Sequence, residues 1–401
     1  MRDNSQYRTT ETTMADAINR RSFLLAAAPA ALTAATLAQH PLLAQTAAAP
    51  APLPPVDDRT VYFASDYPNI SPEEHIRMFT TALAKHPGKE DTYLKGGAVT
   101  ELEQKFAAMF GKEDCVFLPT GTLANNLAAR ILCGEHKHLI TQSDSHLYAD
   151  ESDSPSILSG ITMQPVAPGK AAPTFEEWEA AVLDAEHRAY PLKVGAISME
   201  SPVRRHNGES IPFAIVQKVC AMAKSKGIAT HWDGARAFML LGTPGYDLAH
   251  YAAPFDTVFA SLYKALHAPF GGMLMGTKEK MAQARDLRHV FGGLIYHGWV
   301  AALPALNALD GLPERWSKLR TAAEELIAKL QSAGGYTIER VPNESNIFLL
   351  KPSEARMKGL QDRLLAADIR IAAPRNGSIV MYFNETILRR PIAEILKPFV
   401  V

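Results

Sequence analysis

The sequence predicts an α/β fold built on a mostly parallel sheet, and three observations carry that prediction. Strand-like and helical runs alternate: residues 194–199 read as a strand, 212–226 as a helix with Ile215, Val216, Val219, Cys220 and Ala223 on one face, and 227–230 as a strand again. Such repeats pack as parallel strands joined by right-handed crossovers. Polar residues gather just past the strand runs: Glu200 after the first, Thr230-His231-Trp232-Asp233-Gly234-Ala235-Arg236 after the second, and Lys264 after a third run over 256–262. Open parallel sheets place their ligand crevice at these carboxyl ends. The 401 residues, 47% of them hydrophobic, also suffice to bury a large core.

Composition narrows the partners. Lys and Arg number 41 against 42 Asp and Glu, so no polyanion is signalled and no nucleic-acid partner is expected. Cys115, Cys133 and Cys220 form neither a CxxC pair nor a metal spacing, and an odd count argues against a disulfide framework. No metal site is expected.

Residues 1–50 read as an export signal. Arg20-Arg21-Ser22-Phe23-Leu24-Leu25 opens an alanine- and leucine-rich run that ends near Ala47-Ala48-Ala49. A basic start, an apolar middle and small residues at the end make a secretory signal, and the paired arginines resemble the twin-arginine type. That type predicts a periplasmic or secreted protein. Pro29, His40 and Pro41 interrupt the apolar run, so no membrane anchor is expected in the mature form. The plainer alternative is an amphipathic or disordered tail. Residues 51–60, with Pro52, Pro54 and Pro55, read as a linker.

Further on, Ser71-Pro72-Glu73-Glu74 opens a helix over 71–86, with a cap, a first-turn proline and first-turn acids. Leu102, Phe106, Ala107 and Phe110 give helical spacing over 100–110. Residues 116–118 read as a buried strand, and Pro119-Thr120-Gly121-Thr122 as the turn into the next helix. A helix start offers unpaired N–H groups to an anion; an ordinary cap is the plainer reading. A strand over 138–141 precedes Asp144-Ser145-His146. Histidine there suits proton transfer, because its ordinary pKa lies near working pH. An amphipathic helix over 314–333, strands near 337–340, 347–350 and 379–383, and a helix over 354–367 predict a small C-terminal α+β domain. The expected division is 61–305 for the large domain and 306–401 for the small one.

An acid after one strand and a lysine after the next suit pyridoxal 5'-phosphate: the lysine bonds to the cofactor aldehyde and the acid pairs with the ring nitrogen. Taken alone, Asp-Gly-Ala-Arg reads more plainly as a turn with a surface ion pair. The ordered set Pro119 to Asn125, Asp144 to His146, Glu200, His231 to Arg236 and Lys264 to Gly271 resembles the L-threonine aldolase branch of the β-eliminating lyases, fold-type I pyridoxal-phosphate enzymes. The resemblance runs from about Tyr62 to the C-terminus.

What it implies is specific. Lys264 would bond to the cofactor and Asp233 pair with its ring nitrogen. His146 would stack on the ring and serve the substrate's β-hydroxyl, while Thr120, Gly121 and Thr122 would take the phosphate. Arg236 would contact the cofactor or the substrate carboxylate, and Ser261 would complete the cofactor set. The implied substrate is a β-hydroxy-α-amino acid, cleaved to glycine and an aldehyde; β-elimination, other Cα chemistry and a non-catalytic ligand-binding homologue are the alternatives. A homo-oligomer, dimer or tetramer, with shared active sites is also implied.

The chain departs from the family pattern in three places. Leu94 and Gly96 stand in a loop where the family has Tyr-Gly and an Asp. Tyr296 stands where a phosphate-binding arginine is usual. No arginine occurs in 377–383, where one usually grips the substrate carboxylate. A buried carboxylate needs a charged or multiple-donor partner. Arg375, with Arg205 as second choice, is the expected replacement.

Overall fold

The computed structural model describes residues 57–401, apart from Tyr67, Asn69 and Lys89. The expected export signal and most of the expected linker lie outside these residues. Twelve strands are described: β1 (Val61–Phe63), β2 (Asp114–Leu118), β3 (His138–Gln142), β4 (Thr162–Val166), β5 (Ala196–Glu200), β6 (Ala229–Asp233), β7 (Thr257–Ser261), β8 (Gly272–Gly276), β9 (Tyr336–Glu339), β10 (Ile347–Pro352), β11 (Ile369–Ile371) and β12 (Ile379–Tyr382).

Seven of them form the central sheet, in the order β2-β8-β7-β6-β5-β3-β4. The inner pairs β3–β4, β3–β5, β5–β6 and β6–β7 are parallel, whereas β8 runs antiparallel to both of its neighbours. The expected α/β architecture with a mostly parallel sheet is therefore present.

Both faces of the sheet are covered, which is why its strands lack an alternating polar pattern. Val116, Leu118, Phe259 and Leu274 face one apolar cluster, together with Leu127 of helix Gly121–Cys133 and Met281 of helix Lys278–Val290. Their chain neighbours Phe117, Val258, Ala260, Met273 and Met275 face the other. That second cluster includes Trp178, Trp232, Phe106 and Phe110, all buried. Burial of such rings contributes about 1.5–3 kcal/mol each.

The second strand expected over 227–230 is displaced. Gly227 takes a left-handed turn (φ +69°) after helix Phe213–Ser225, and β6 begins only at Ala229. Pairing with β5 on one side and β7 on the other carries the strand through Asp233. Asp233 is thus the last strand residue rather than the start of a loop. The expected helix over 354–367 is two, Glu354–Met357 and Leu360–Ala366, because Gly359 turns left-handed between them (φ +65°). Strands β4 and β8 and helices Phe175–Glu186 and Trp299–Leu309 were not expected, although Thr174 and Glu177 make a capping box at the start of the first of these helices.

In the C-terminal region β12, β10 and β9 form an antiparallel sheet. The first strand of the described chain joins this region: β1 pairs in parallel with β11. Asp57 accepts from the backbone N–H groups of Arg59 and Thr60, and the Thr60 hydroxyl lies 3.0 Å from the Asp368 carboxylate, which fixes the entry to β1.

Candidate active site

The carboxyl ends of the parallel strands supply the polar residues. β5 ends in Glu200 and β6 in Asp233, and the two are register partners. β7 ends in Ser261, three residues before Lys264, and β3 ends in Gln142, four before His146. The Gln142 amide clamps the Glu200 backbone: its Nε2 donates to Glu200 O (2.9 Å), and its Oε1 accepts from Glu200 N (2.8 Å). The Glu200 carboxylate accepts from the backbone N–H of His146 (2.6 Å) and of Arg204 (2.9 Å). Glu200 therefore ties the histidine-bearing segment to the sheet.

Asp233 accepts from Ala235 N (3.1 Å) and from Asn125 Nδ2 (2.9 Å). The same Asn125 nitrogen donates to Glu151 Oε1 (2.8 Å), which lies 2.9 Å from His146 Nδ1. Asn125 Oδ1 faces His231 Nε2 (3.2 Å), and His231 Nδ1 faces Thr257 Oγ1 (2.8 Å). Arg236 donates through Nε and Nη2 to Asp66 Oδ2, at 2.8 and 2.5 Å. A looser contact of 3.9 Å joins Arg236 to Glu200.

Burial sets the electrostatics. It pushes the Lys264 amine down to about 8, and the neighbouring Arg236 charge presses the same way. Burial raises the Glu151 and Glu200 carboxyls above the usual carboxylate range. The hydrogen bond to Glu151 raises His146, with Asp233 adding to it. His231, fully enclosed, is pushed down to about 4 by burial and stays neutral at working pH.

A cavity of about 310 Å³ brings Thr120, Gly121 and Thr122 together with His146, Asp233, Arg236 and Lys264. A second cavity, of about 410 Å³, lies against Lys264 and Asp66 and reaches Arg315, Glu385 and Arg389. Arg375 and Arg205 line neither of them. Arg205 forks onto Asp150 (2.6 and 3.2 Å), the carboxylate that also holds Arg204 (2.7 Å). Arg375 is exposed, in a tight turn closed by backbone bonds to Ser378. Its charge, like those of Arg204, Arg236 and Asp66, still acts on the Tyr382 hydroxyl.

The cradle at Thr120–Thr122 is part cap and part core. The Thr120 hydroxyl accepts from Leu123 N (3.1 Å), the ordinary cap of helix Gly121–Cys133. A Cβ on Gly121 would come within 2.8 Å of the Phe259 ring, so the glycine is required by packing. The first N–H groups of this helix have no intrahelical acceptor and open on the cavity.

Asp66, Asn125 and Glu151 were missed as site residues in the sequence reading. Asn125 lies four residues after Gly121 and Glu151 five after His146, each about a turn beyond a recognised motif. Asp66 stands three residues past β1.

The profile of the family described as Beta-eliminating lyase matches residues 76–352 of the chain, well over half of it. The chain belongs to the beta-eliminating lyase family. Two curated relatives are the alanine racemase TOXG of Cochliobolus carbonum, 31% identical over 58% of this chain and 59% of that protein, and the low specificity L-threonine aldolase of Escherichia coli, 24% identical over 80% of this chain and 93% of that protein. Among solved structures, threonine aldolase of Leishmania major shares the fold with a TM-score of 0.67 at 16% identity, covering 85% of this chain and all of that one.

This beta-eliminating lyase is a pyridoxal-phosphate-dependent enzyme, and its residues fit that group. Ser261 Oγ is buried at the end of β7 and bears on the Tyr263 hydroxyl, opposing the rise that burial gives that group. The buried Lys264 has a depressed pKa, and the carboxylate of Asp233 shares its cavity with a helix start. An aldehyde, a ring nitrogen and a phosphate need those three groups.

Proposed function

We propose that the protein cleaves a β-hydroxy-α-amino acid, threonine-like in class, to glycine and an aldehyde. The observation that carries this reading is the convergence of Lys264, Asp233 and His146 on one 310 Å³ cavity. Bound pyridoxal phosphate supplies an electron sink for the pair released when a bond to Cα breaks.

Lys264 holds the cofactor, since an amine lowered to about 8 has a far larger neutral, nucleophilic fraction near pH 7 than an ordinary lysine. Asp233 keeps the ring nitrogen protonated. The open N–H groups at Gly121 and Thr122, with the Thr120 hydroxyl, hold the phosphate, and the buried Ser261 hydroxyl at the end of β7 completes the cofactor set. His146, oriented by Glu151 and through its backbone by Glu200, moves the proton of the β-hydroxyl. Arg236, fixed by Asp66 and lining the cavity, receives the substrate carboxylate; Arg205 serves Asp150 instead, and Arg375 lies exposed outside both cavities.

Racemisation is the second reading, favoured by the 31% identity to an alanine racemase. Both reactions begin by breaking a bond to Cα. Assaying purified enzyme on L- and D-threonine, serine and alanine separates them. Glycine plus aldehyde supports cleavage. Ammonia plus keto acid, or inversion without cleavage, overturns it.

The reading includes a homo-oligomer. Exposed Tyr93 and Tyr296, with ring centroids 5.1 Å apart, and an apolar groove of about 480 Å³ lined by Ile76, Phe79 and Tyr263 support it. It also includes export of the folded protein by the twin-arginine route, supported by Arg20 and Arg21. Changing both to lysine should retain precursor in the cytoplasm; unchanged export excludes that route.

A further inference from the structure

We infer that Asn125 is a positioning residue that locks the two acid–base arms of the site, Asp233 and the Glu151–His146 pair, into one geometry, and that His231 anchors its amide oxygen from behind. The proposal rests on the roles given above to Asp233 and His146, but its test needs no substrate.

The geometry leaves one consistent assignment of donors. Asn125 is 1% exposed, in the first turns of helix Gly121–Cys133, and its nitrogen lies 2.9 Å from an Asp233 oxygen and 2.8 Å from a Glu151 oxygen. Ionised carboxylates only accept, so the amide NH₂ must face them, one hydrogen to each. The amide oxygen then points at His231 Nε2, which must carry the proton. Being neutral, His231 has no proton left for Nδ1, which accepts from the Thr257 hydroxyl at 2.8 Å. Thr257, His231 and Asn125 thus form a directed chain that ends in a fork onto both carboxylates.

The fork matters because the charges are crowded. Glu151, Asp233 and Glu200 are all buried. Facing them are Lys264 and His146, together with Arg236, which also bonds Asp66. Without the amide, Glu151 and Asp233 lose their shared donor and repel. A carboxylate deprived of a hydrogen bond to its charged form takes up a proton more readily. A protonated Glu151 no longer favours the charged form of His146. Loss of Asn125 therefore lowers the titration midpoint of His146 and frees its ring to turn.

The test is Asn125→Leu, which keeps the branched shape and removes the amide, alongside His231→Phe, which removes the donor behind it. The His146 midpoint is read by NMR of imidazole-labelled holoenzyme, with His146→Phe assigning the signal. Cofactor release is followed by absorbance after dilution. Asn125→Leu should lower the midpoint and speed release about ten- to a hundred-fold, the scale of a charge-assisted hydrogen bond. His231→Phe should shift both in the same direction by less. A wild-type midpoint in Asn125→Leu overturns the proposal. A shift there with none in His231→Phe overturns the role of His231. If Asn125→Leu does not fold, His231→Phe decides alone, an unchanged midpoint counting against it.

Discussion

Lys264 gives the sharpest quantitative expectation. Its amine is carried from the ordinary lysine value of 10.5 down to about 8, chiefly by burial and then by the Arg236 charge. At pH 7 about one amine in ten is then neutral, against about one in three thousand for an ordinary lysine, a roughly 300-fold gain in reactive form. The perturbation is pH, applied to ligand-free protein. The assay is competitive labelling by a small amine reagent, with Lys264 quantified by peptide mass spectrometry. Its labelling should titrate with a midpoint near 8. Arg236→Gln should raise the midpoint, because a neighbouring positive charge has gone. The linkage has a definite sign. Between pH 8 and 10.5 the unfolded chain holds the Lys264 proton and the folded one does not, so stability rises with pH through that window. The total is about 3 kcal/mol at most, and Lys264→Met should abolish that part of the slope. A Lys264 midpoint at or above 10, or a slope unchanged in Lys264→Met, would refute the argument.

Other expectations follow from the same geometry. His146→Phe preserves ring stacking while removing the proton carrier, so turnover should fall ~10²–10⁴-fold; near-normal turnover would leave His146 a packing role. Arg375→Ala should leave substrate binding within about two-fold of wild type, because its exposed side chain lies outside both cavities. A loss of about ten-fold or more would return Arg375 to the substrate carboxylate. Gly195→Ala should lower thermal stability by about 3 kcal/mol or more, because its Cβ would meet His136 O at 2.2 Å and Cys133 Cα at 2.8 Å, backbone that cannot swing aside. An unchanged melting temperature would show that this crossing can open.

Each motif residue of the 310 Å³ cavity lies within a short local pattern, and that is why the sequence alone reveals Lys264, Asp233, His146 and the Thr120–Thr122 turn. Strand periodicity marks where a strand ends, and in a parallel sheet the strand end is where a ligand binds. Only the tertiary structure supplies their partners. Asn125 meets Asp233 across 108 positions of chain, and Asp66 meets Arg236 across 170. No local pattern encodes such pairs, since each residue alone is an ordinary polar side chain on a helix or loop. The same holds for β1, three residues long, whose pairing with β11 crosses 308 positions. It also holds for β6, whose last residues His231, Trp232 and Asp233 read as a loop until β5 and β7 pair with them on both sides. The sequence by itself marked Lys264, Asp233, His146 and the Thr120–Thr122 turn, which the fold gathers in one cavity. Which way they face, which protonation states they favour and which arginine lines the cavity were decided by burial and by contacts between distant segments, because desolvation and hydrogen bonding act through space.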